Sequence, residues 1–547
     1  MNGSPEVPGP GPEAAPPLTE GVPRGSAAPL VAAGILSSRV AGLVRERIFA
    51  HYFGASVFAD AFKAALRAPN ILQNLLGEGA LSASFIPVYS ELLERGRREE
   101  AGRVAGAVFA LLFALVGALV LIGILLAPVI VSVFSPGFEG TAREFTIRCF
   151  RIIFPMTGTL VLSAWALGVL NSHRRFFIPY FAPVLWNGAM IATLLVLGTR
   201  MELDRLVIAL AWGALAGGLV QFLVQLPWVL TLERDLRIRP DVRLEGVRTA
   251  LRNAGPAIAG RGAVQIGSYV DLFLASFLAA GAVASLTYAQ TLYILPVSLF
   301  GMSIAAAELP EMARGRTGAA DVLGARMRAG LRHMAVFVVP SMVAFIVLGD
   351  VLVGALYQTG EFSADDTLLV WAILAAYAIG LMASTATRLF SSAFFAMHDT
   401  RTPAKAALMR VVLSGGAGVA LMLALRDVEL AGRSMGPVGL ALATGAAAWV
   451  EWLYLRRALR TRLGSVGTGA RFLLRVFASA LAAAAAGRSA MALLPDPLPI
   501  HADYAPVIVA LVVLTVFGLV YFGVARLLGV EEVAATVGRI TAKLRRR

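Results

Sequence analysis

Apolar runs of about 20 residues follow one another along nearly the whole chain, each long enough to cross a hydrocarbon core of about 30 Å. They lack the two-residue alternation of barrel strands, and backbone groups in lipid must be satisfied internally, so the runs predict helices. Helices are expected near 27–50, 57–90, 103–134, 144–170, 177–198, 205–231, 253–280, 283–312, 329–357, 366–396, 403–425, 435–458, 467–493 and 504–528. That is about fourteen spans in an all-α polytopic membrane protein. The intervening loops support this count. Alternate loops carry arginines, among them Arg95, Arg97 and Arg98, then Arg174 and Arg175, then Arg234, Arg237 and Arg239, and later Arg456, Arg457 and Arg460. The other loops have almost no excess positive charge. Such alternation predicts that both termini lie in the cytoplasm of a bacterial inner membrane protein.

Composition agrees: of 547 residues 58% are hydrophobic and 15% charged, and the mean hydropathy is +0.75. The net charge of +14 resides in the short loops, which argues for membrane orientation and against nucleic acid as a partner. Cys149 is alone, so no intramolecular disulfide can form. Residues 1–26 are Pro/Gly-rich, polar and without a signal-peptide core, and are expected to form a disordered cytoplasmic tail.

The sequence also repeats itself. SASFIPVYSE (ending at Glu91) resembles IAAAELPEMA (ending at Ala313); PVIVSVFSPGFEG after Ala127 resembles DVLVGALYQTGEF after Gly349; GVLNSHRRFFIP (ending at Pro179) resembles SAFFAMHDTRTP (ending at Pro403). The pairs share an offset of about 223 residues, or six helices. An even number of helices per repeat predicts two parallel six-helix lobes with a site at their interface. The expected organisation is therefore a first lobe over 27–231, a basic linker over 232–252, a second lobe over 253–460, two extra helices over 467–530 and a basic amphipathic tail over 531–547.

Charge is concentrated where lipid forbids it. Arg39, Arg45, Glu46 and Arg47 lie in the first predicted helix and Asp60, Lys63, Arg67 and Glu78 in the second. One such charge at a bilayer centre costs about 2.5–3.5 kcal/mol, so these must face one another or a watery cavity. Asp60, Lys63 and Arg67 form one stripe, after which Pro69-Asn70 and Gly77-Glu78-Gly79 predict an interrupted helix. Arginine suits a diphosphate because its planar fork donates paired hydrogen bonds and stays charged when desolvated, which favours anion binding for Arg39 and Arg45. Two readings stay open for the acids: neutralising the cations, or orienting them. Arg47, near a helix end, is expected to snorkel. In the second lobe Arg261, Gln265, Ser268 and Asp271 make a quieter stripe, and Arg388 is placed to line an inward opening or gate. No catalytic constellation and no metal-ligand cluster is visible, so neither an enzyme nor a cofactor is expected.

The segments SRVAGLVRE, FGAS..ADAF, R.PN.L..L..EGALS.SFIPV.SE and HDTRTPAK resemble the MurJ/MviN family of lipid II flippases, of the superfamily that includes MATE exporters. The resemblance covers residues 27–530. It implies a two-lobe, fourteen-helix fold with a cationic central cavity of alternating access. The implied substrate is an undecaprenyl-diphosphate-linked peptidoglycan precursor moved from the inner to the outer leaflet, with a lipid-tail groove beside 467–528. It assigns Ser38, Arg39, Arg45 and Asp60 to the cavity, matches Glu78 to the acidic residue of an EGA motif, and puts a basic residue at Arg388. Two departures stand out: Gln73 replaces a cavity arginine, and Gln290-Thr291 replaces an Asp-Arg pair of some members. Arg261 is the candidate replacement for the missing second-lobe cation. A sodium site of some members finds only Asp271 and Thr444 here, since the eleventh helix offers Ser414 and glycines, so membrane potential is the expected bias on transport.

Three other classes compete. A related drug/cation antiporter would need an acidic cavity, whereas the first lobe is basic. A flippase for another polyprenyl-diphosphate glycan would use the same cations. A non-transporting scaffold, in contact with cell-wall synthesis proteins, would need none of them.

Overall fold

The computed structural model describes residues 27–302, 320–397, 399–464, 466–495 and 505–533. The first lobe contains α1 (Ala27–Phe53), α2 (Val57–Leu76), α3 (Glu78–Glu94), α4 (Arg98–Leu125), α5 (Ala127–Phe134), α6 (Gly140–Ser172), α7 (Phe177–Leu197), α8 (Leu203–Leu223) and α9 (Leu226–Leu232). The second contains α10 (Glu245–Ala275), α11 (Ala282–Pro296) continuing into a π-helical segment Val297–Met302, α12 (Ala320–Val347), α13 (Gly349–Tyr357), α14 (Ala364–Ile379), α15 (Leu381–Ala396), α16 (Arg401–Leu425) and α17 (Gly436–Leu463). A hairpin of α18 (Ala470–Ala492) and α19 (Ala505–Leu527) follows.

Among the described residues, ten helical segments are long and apolar enough to cross a membrane, and the bent pair α14–α15 makes an eleventh. The charge-bearing α1, the broken α2–α3 pair and α10 bring the arrangement to one compatible with the fourteen spans expected. Several predicted spans prove to be two helices. The second span breaks at Gly77 rather than at Pro69, which is accommodated inside α2. The third and ninth spans end in short separate helices, α5 and α13. These two follow their parent helices at an offset matching the sequence repeat, so the repeat is structural.

The lobes differ where their fourth helices should correspond. In the first lobe α6 runs unbroken for 33 residues, whereas its counterpart bends by 42° between α14 and α15. Gly380 stands at that bend against Gly445 of α17: a Cβ on Gly380 would lie 2.6 Å from the Gly445 Cα. Only glycine permits that approach.

Between the lobes, on the arginine-poor face, lies an aromatic plug. Tyr288 of α11 sits 4.9 Å from Tyr357 of α13 and 6.4 Å from Phe49 of α1, measured between ring centres, and Phe49 contacts Phe62 of α2 at 5.4 Å. The α18–α19 hairpin is fixed to the second lobe through a separate core that includes Val336, Val339, Val476, Ala480 and Val513. Its polar fastenings are a two-bond Arg488–Asp350 pair at 2.7 and 2.8 Å and a bond from the Tyr521 hydroxyl to the Val336 carbonyl. Beyond Val533 the expected amphipathic tail lies outside the described residues, as does the N-terminal tail.

The HDTRTP segment has a local reason. Asp399 caps α16: its carboxylate accepts the Thr402 N–H at 3.0 Å and the Thr402 hydroxyl at 2.7 Å. Arg462 of α17 donates to it at 2.7 Å. The hydrogen bonds from Thr402 hold the carboxyl down at about 2. A depressed carboxyl stabilises the fold fully above its ordinary value near 3.8 and loses that contribution as the pH falls through about 2. Asp399→Ala is expected to cost about 1 kcal/mol at neutral pH, read as a lower midpoint of thermal unfolding in detergent. Asp399→Asn, which retains an acceptor, should lose less; equal losses would refute a capping role.

Candidate functional site: a charged space between the lobes

The first-lobe charges sort into three arrangements. In the first, Glu46 is shared by two cations. Arg45 contacts it at 2.5 Å and Lys63, one helix away, pairs with its other oxygen. Lys63 and Glu46 side chains are each 6% exposed, so both are removed from water, whereas Arg45 keeps 15%. Aromatic faces complete the enclosure. The Lys63 ammonium lies 4.2 Å from the Phe49 ring centre, and the Arg45 guanidinium 4.9 Å from that of Trp186. Glu46 therefore neutralises, and two cations against one acid leave a surplus charge at Arg45, the more accessible partner.

The second arrangement latches the lobes together at the arginine-poor face. For Asp60 of α2 the sequence leaves open neutralising or orienting a cation; instead its carboxylate accepts the backbone N–H groups of Gly281 at 2.6 Å and Ala284 at 2.7 Å, capping α11 across the interface. Unpaired N–H groups and the helix dipole make this end a natural seat for a carboxylate. Gly281 is needed there: its φ is +88°, and a Cβ would come within 2.2 Å of the Ala55 carbonyl oxygen. Arg47 does the converse. Rather than snorkelling, it donates to the Ala355 and Leu356 carbonyls at the C-terminal end of α13. His51 with Thr359 at 2.8 Å, Glu361 N–H to the His51 carbonyl at 2.8 Å and Tyr288 hydroxyl to the Gly54 carbonyl at 2.9 Å finish the closure.

The third arrangement lies deeper. Arg39 reaches across to the π-helical segment and donates to the Ser298 hydroxyl at 3.0 Å, a neutral partner. Ser38 and Gln73 are half-buried. Arg67, also from the first lobe, shares its surroundings with Asp271 and Tyr269 of α10. In the second lobe Gln290 donates to the Tyr377 hydroxyl at 2.9 Å, and Thr291 returns its hydroxyl to the Thr287 carbonyl at 2.9 Å. Arg388 is exposed and neighbours Tyr293, Arg410 and Glu451. The side chains of Glu78, Arg261, Gln265 and Ser268 lie outside the described residues. Arg410 and Glu451, paired at 3.1 Å, were not singled out from the sequence. Both stand inside predicted spans, the same signal that marked Arg39 and Arg45. Among the described residues no cluster of three potential metal ligands occurs.

A two-lobe bundle of membrane-length helices, latched on one face and carrying charged side chains between its lobes, has the architecture of a membrane transporter. Solved structures share this fold. A lipid II flippase MurJ in an inward closed conformation superposes with a TM-score of 0.73 at 24% identity, over 90% of this chain and 97% of that one. An inward-facing multidrug MATE transporter of the MOP superfamily follows at 0.64 and 18%, over 78% and 95%. The family profile described as lipid II flippase MurJ matches residues 49–497. The lipid II flippase MurJ of Burkholderia cenocepacia is 31% identical over 78% of this chain and 82% of its own length. The probable lipid II flippase MurJ of Rhizobium meliloti is 33% identical over 78% of each. The chain belongs to the MurJ lipid II flippase family.

Removing one member of a buried charge group strands the others, at a cost of about 3–5 kcal/mol. Glu46→Ala strands Lys63 among aromatic rings and should lower the unfolding midpoint sharply. Lys63→Met leaves a neutral Arg45–Glu46 pair and should be much milder. The two midpoints, compared in the same detergent, check this; equal shifts would mean that Lys63 is not dependent on Glu46.

Proposed function

We infer that this chain is a lipid II flippase: it carries the undecaprenyl-diphosphate-linked peptidoglycan precursor from the inner to the outer leaflet of the bacterial inner membrane. The family relationship supports the activity. The observation that carries the mechanism is the unequal satisfaction of the first-lobe cations. Glu46 and the aromatic rings fully occupy Lys63, but Arg45 has surplus charge and Arg39 holds only a hydroxyl. A diphosphate entering between the lobes offers both a stronger, charge-assisted partner.

We place the arginine-rich face in the cytoplasm and the latched face outside. In this state the outer side is shut by Asp60, Arg47, His51 and the aromatic plug. Transport then alternates between this arrangement and one in which the latch opens, the lobes rocking about the bound headgroup. Each latch bond exchanges a helix end for water, so opening needs no buried charge to be left unpaired.

Sodium does not fit the second lobe. Asp271, the carboxylate such an ion would use, lies near the guanidinium groups of Arg67 and Arg410, which already supply positive charge. Net movement of cavity charge through the membrane potential is worth about 2.3 kcal/mol per charge per 100 mV and suffices as a bias.

The test is lipid II exposure on the outer leaflet in flippase-depleted cells carrying this chain. Arg45→Ala should abolish exposure, while Arg148→Ala, at an exposed Glu144 pair remote from the cavity, should preserve it. Replacing external sodium with potassium should leave the wild-type rate unchanged. Full exposure with Arg45→Ala would reject the cavity mechanism, and a sodium requirement would reject the proposed drive.

A further inference from the structure

The second lobe holds charge that the first-lobe mechanism does not use. Arg410 of α16 and Glu451 of α17 pair at 3.1 Å, with Glu451 side chain 7% exposed and Arg410 at 30%. Arg388 of α15 lies within electrostatic reach of both and is itself exposed; among the described residues its guanidinium makes no hydrogen bond. These three side chains come from three helices, and the neighbouring Tyr293 from a fourth, α11.

The charges do not cancel. Glu451 pairs with Arg410 and only its field reaches Arg388, and the next acid, Asp271, has Arg67 near it as well as Arg410. Among the described residues, counting Arg67, Arg388 and Arg410 against Asp271 and Glu451 leaves one positive charge in surplus. Two arginines held close together repel unless an anion lies between them, and Glu451 is on hand for only one. The remaining donors of Arg410, fixed in direction by its bond to Glu451, and the whole fork of Arg388 are available to a guest.

We propose that Arg388 and Arg410 form a second anion seat, on the second lobe, which takes an oxyanion of the lipid-linked headgroup, with Glu451 as the positioning residue that aims Arg410. The seat supplies the second-lobe cation absent at Thr291. This rests on the flippase reading and adds to it the side of the cavity opposite Arg39 and Arg45. A headgroup held from both lobes couples its own binding to their relative movement, because a lobe that swings away must surrender one set of contacts. The oxyanion is a phosphate of the diphosphate or a carboxylate of the attached peptide; both present paired oxygens to a guanidinium.

Binding to the purified full-length protein in detergent distinguishes the possibilities, with lipid II and undecaprenyl diphosphate as separate probes. Wild type and Arg45→Ala are run first, since a wild type that binds neither probe defeats the flippase reading itself. With that reading intact, Arg410→Gln is expected to weaken lipid II binding about tenfold, the loss of one charge-assisted contact. Glu451→Gln should weaken it less, and Glu451→Asp should restore most of it. Weakening for both probes assigns the seat to the diphosphate, and weakening for lipid II alone assigns it to the peptide carboxylates. The deciding variant is the double change Arg410→Met with Glu451→Met, which removes a neutral pair and leaves no stranded charge to unfold the lobe. The seat requires this variant to bind as poorly as Arg410→Gln. If it binds and transports like wild type, Arg410 serves only to neutralise Glu451 and the proposal fails.

Discussion

The architecture turns on a carboxylate at one helix start that closes another helix start. Asp60 lies in the first turn of α2, yet its oxygens satisfy the N–H groups at the head of α11, in the other lobe. Within a membrane, neither an ionised acid nor a bare helix terminus is tolerable alone. Each solves the other's difficulty only while the lobes are together. The bond is therefore strong where it exists and replaceable by water once the face opens, which suits an interface that must part and re-form. Arg47 on the carbonyls of α13 repeats the solution with the opposite sign.

With those two side chains committed to the latch, the remaining charges divide by how well they are paired. Glu46 neutralises Lys63 completely and Arg45 in part, and the aromatic rings of Phe49 and Trp186 cover what is left of the cations' apolar-facing surfaces. Arg39 spans the lobes to a hydroxyl. On the far side Arg410 pairs with Glu451, and Arg388 lies within electrostatic reach of both. In both lobes the acid is more deeply buried than an arginine it pairs with, Glu46 more than Arg45 and Glu451 more than Arg410.

The duplicated lobes show how one plan serves two tasks. The short helices α5 and α13 occupy equivalent places, and among the described residues only α13 receives an arginine from the other lobe. The unbroken α6 forms the centre of the first lobe, while its counterpart bends at Gly380, where α17 comes into backbone contact. The bend carries Arg388 on the second half of that helix, beside Arg410 and Glu451.

The sequence alone determined the class of protein, the order of its helices, the basic loops, the repeat, and which residues bear charge inside apolar runs. All of these rest on local properties: run length, helical period, and the cost of a charge at a given depth. It also located the break near Gly77, although Pro69 drew attention first because a proline's effect depends on what packs beside it. Only the tertiary structure decided what each charge does. Arg39 meets a residue 259 positions away, Asp60 one 221 away and Arg47 one 308 away. A stripe on a helix shows which way a side chain points, but whether it finds a hydroxyl, a helix terminus or an open cavity depends on a neighbour brought there by the fold. For the same reason Arg410 and Glu451 passed unremarked: each looked like one more charge in an apolar run until α16 and α17 placed them 3.1 Å apart.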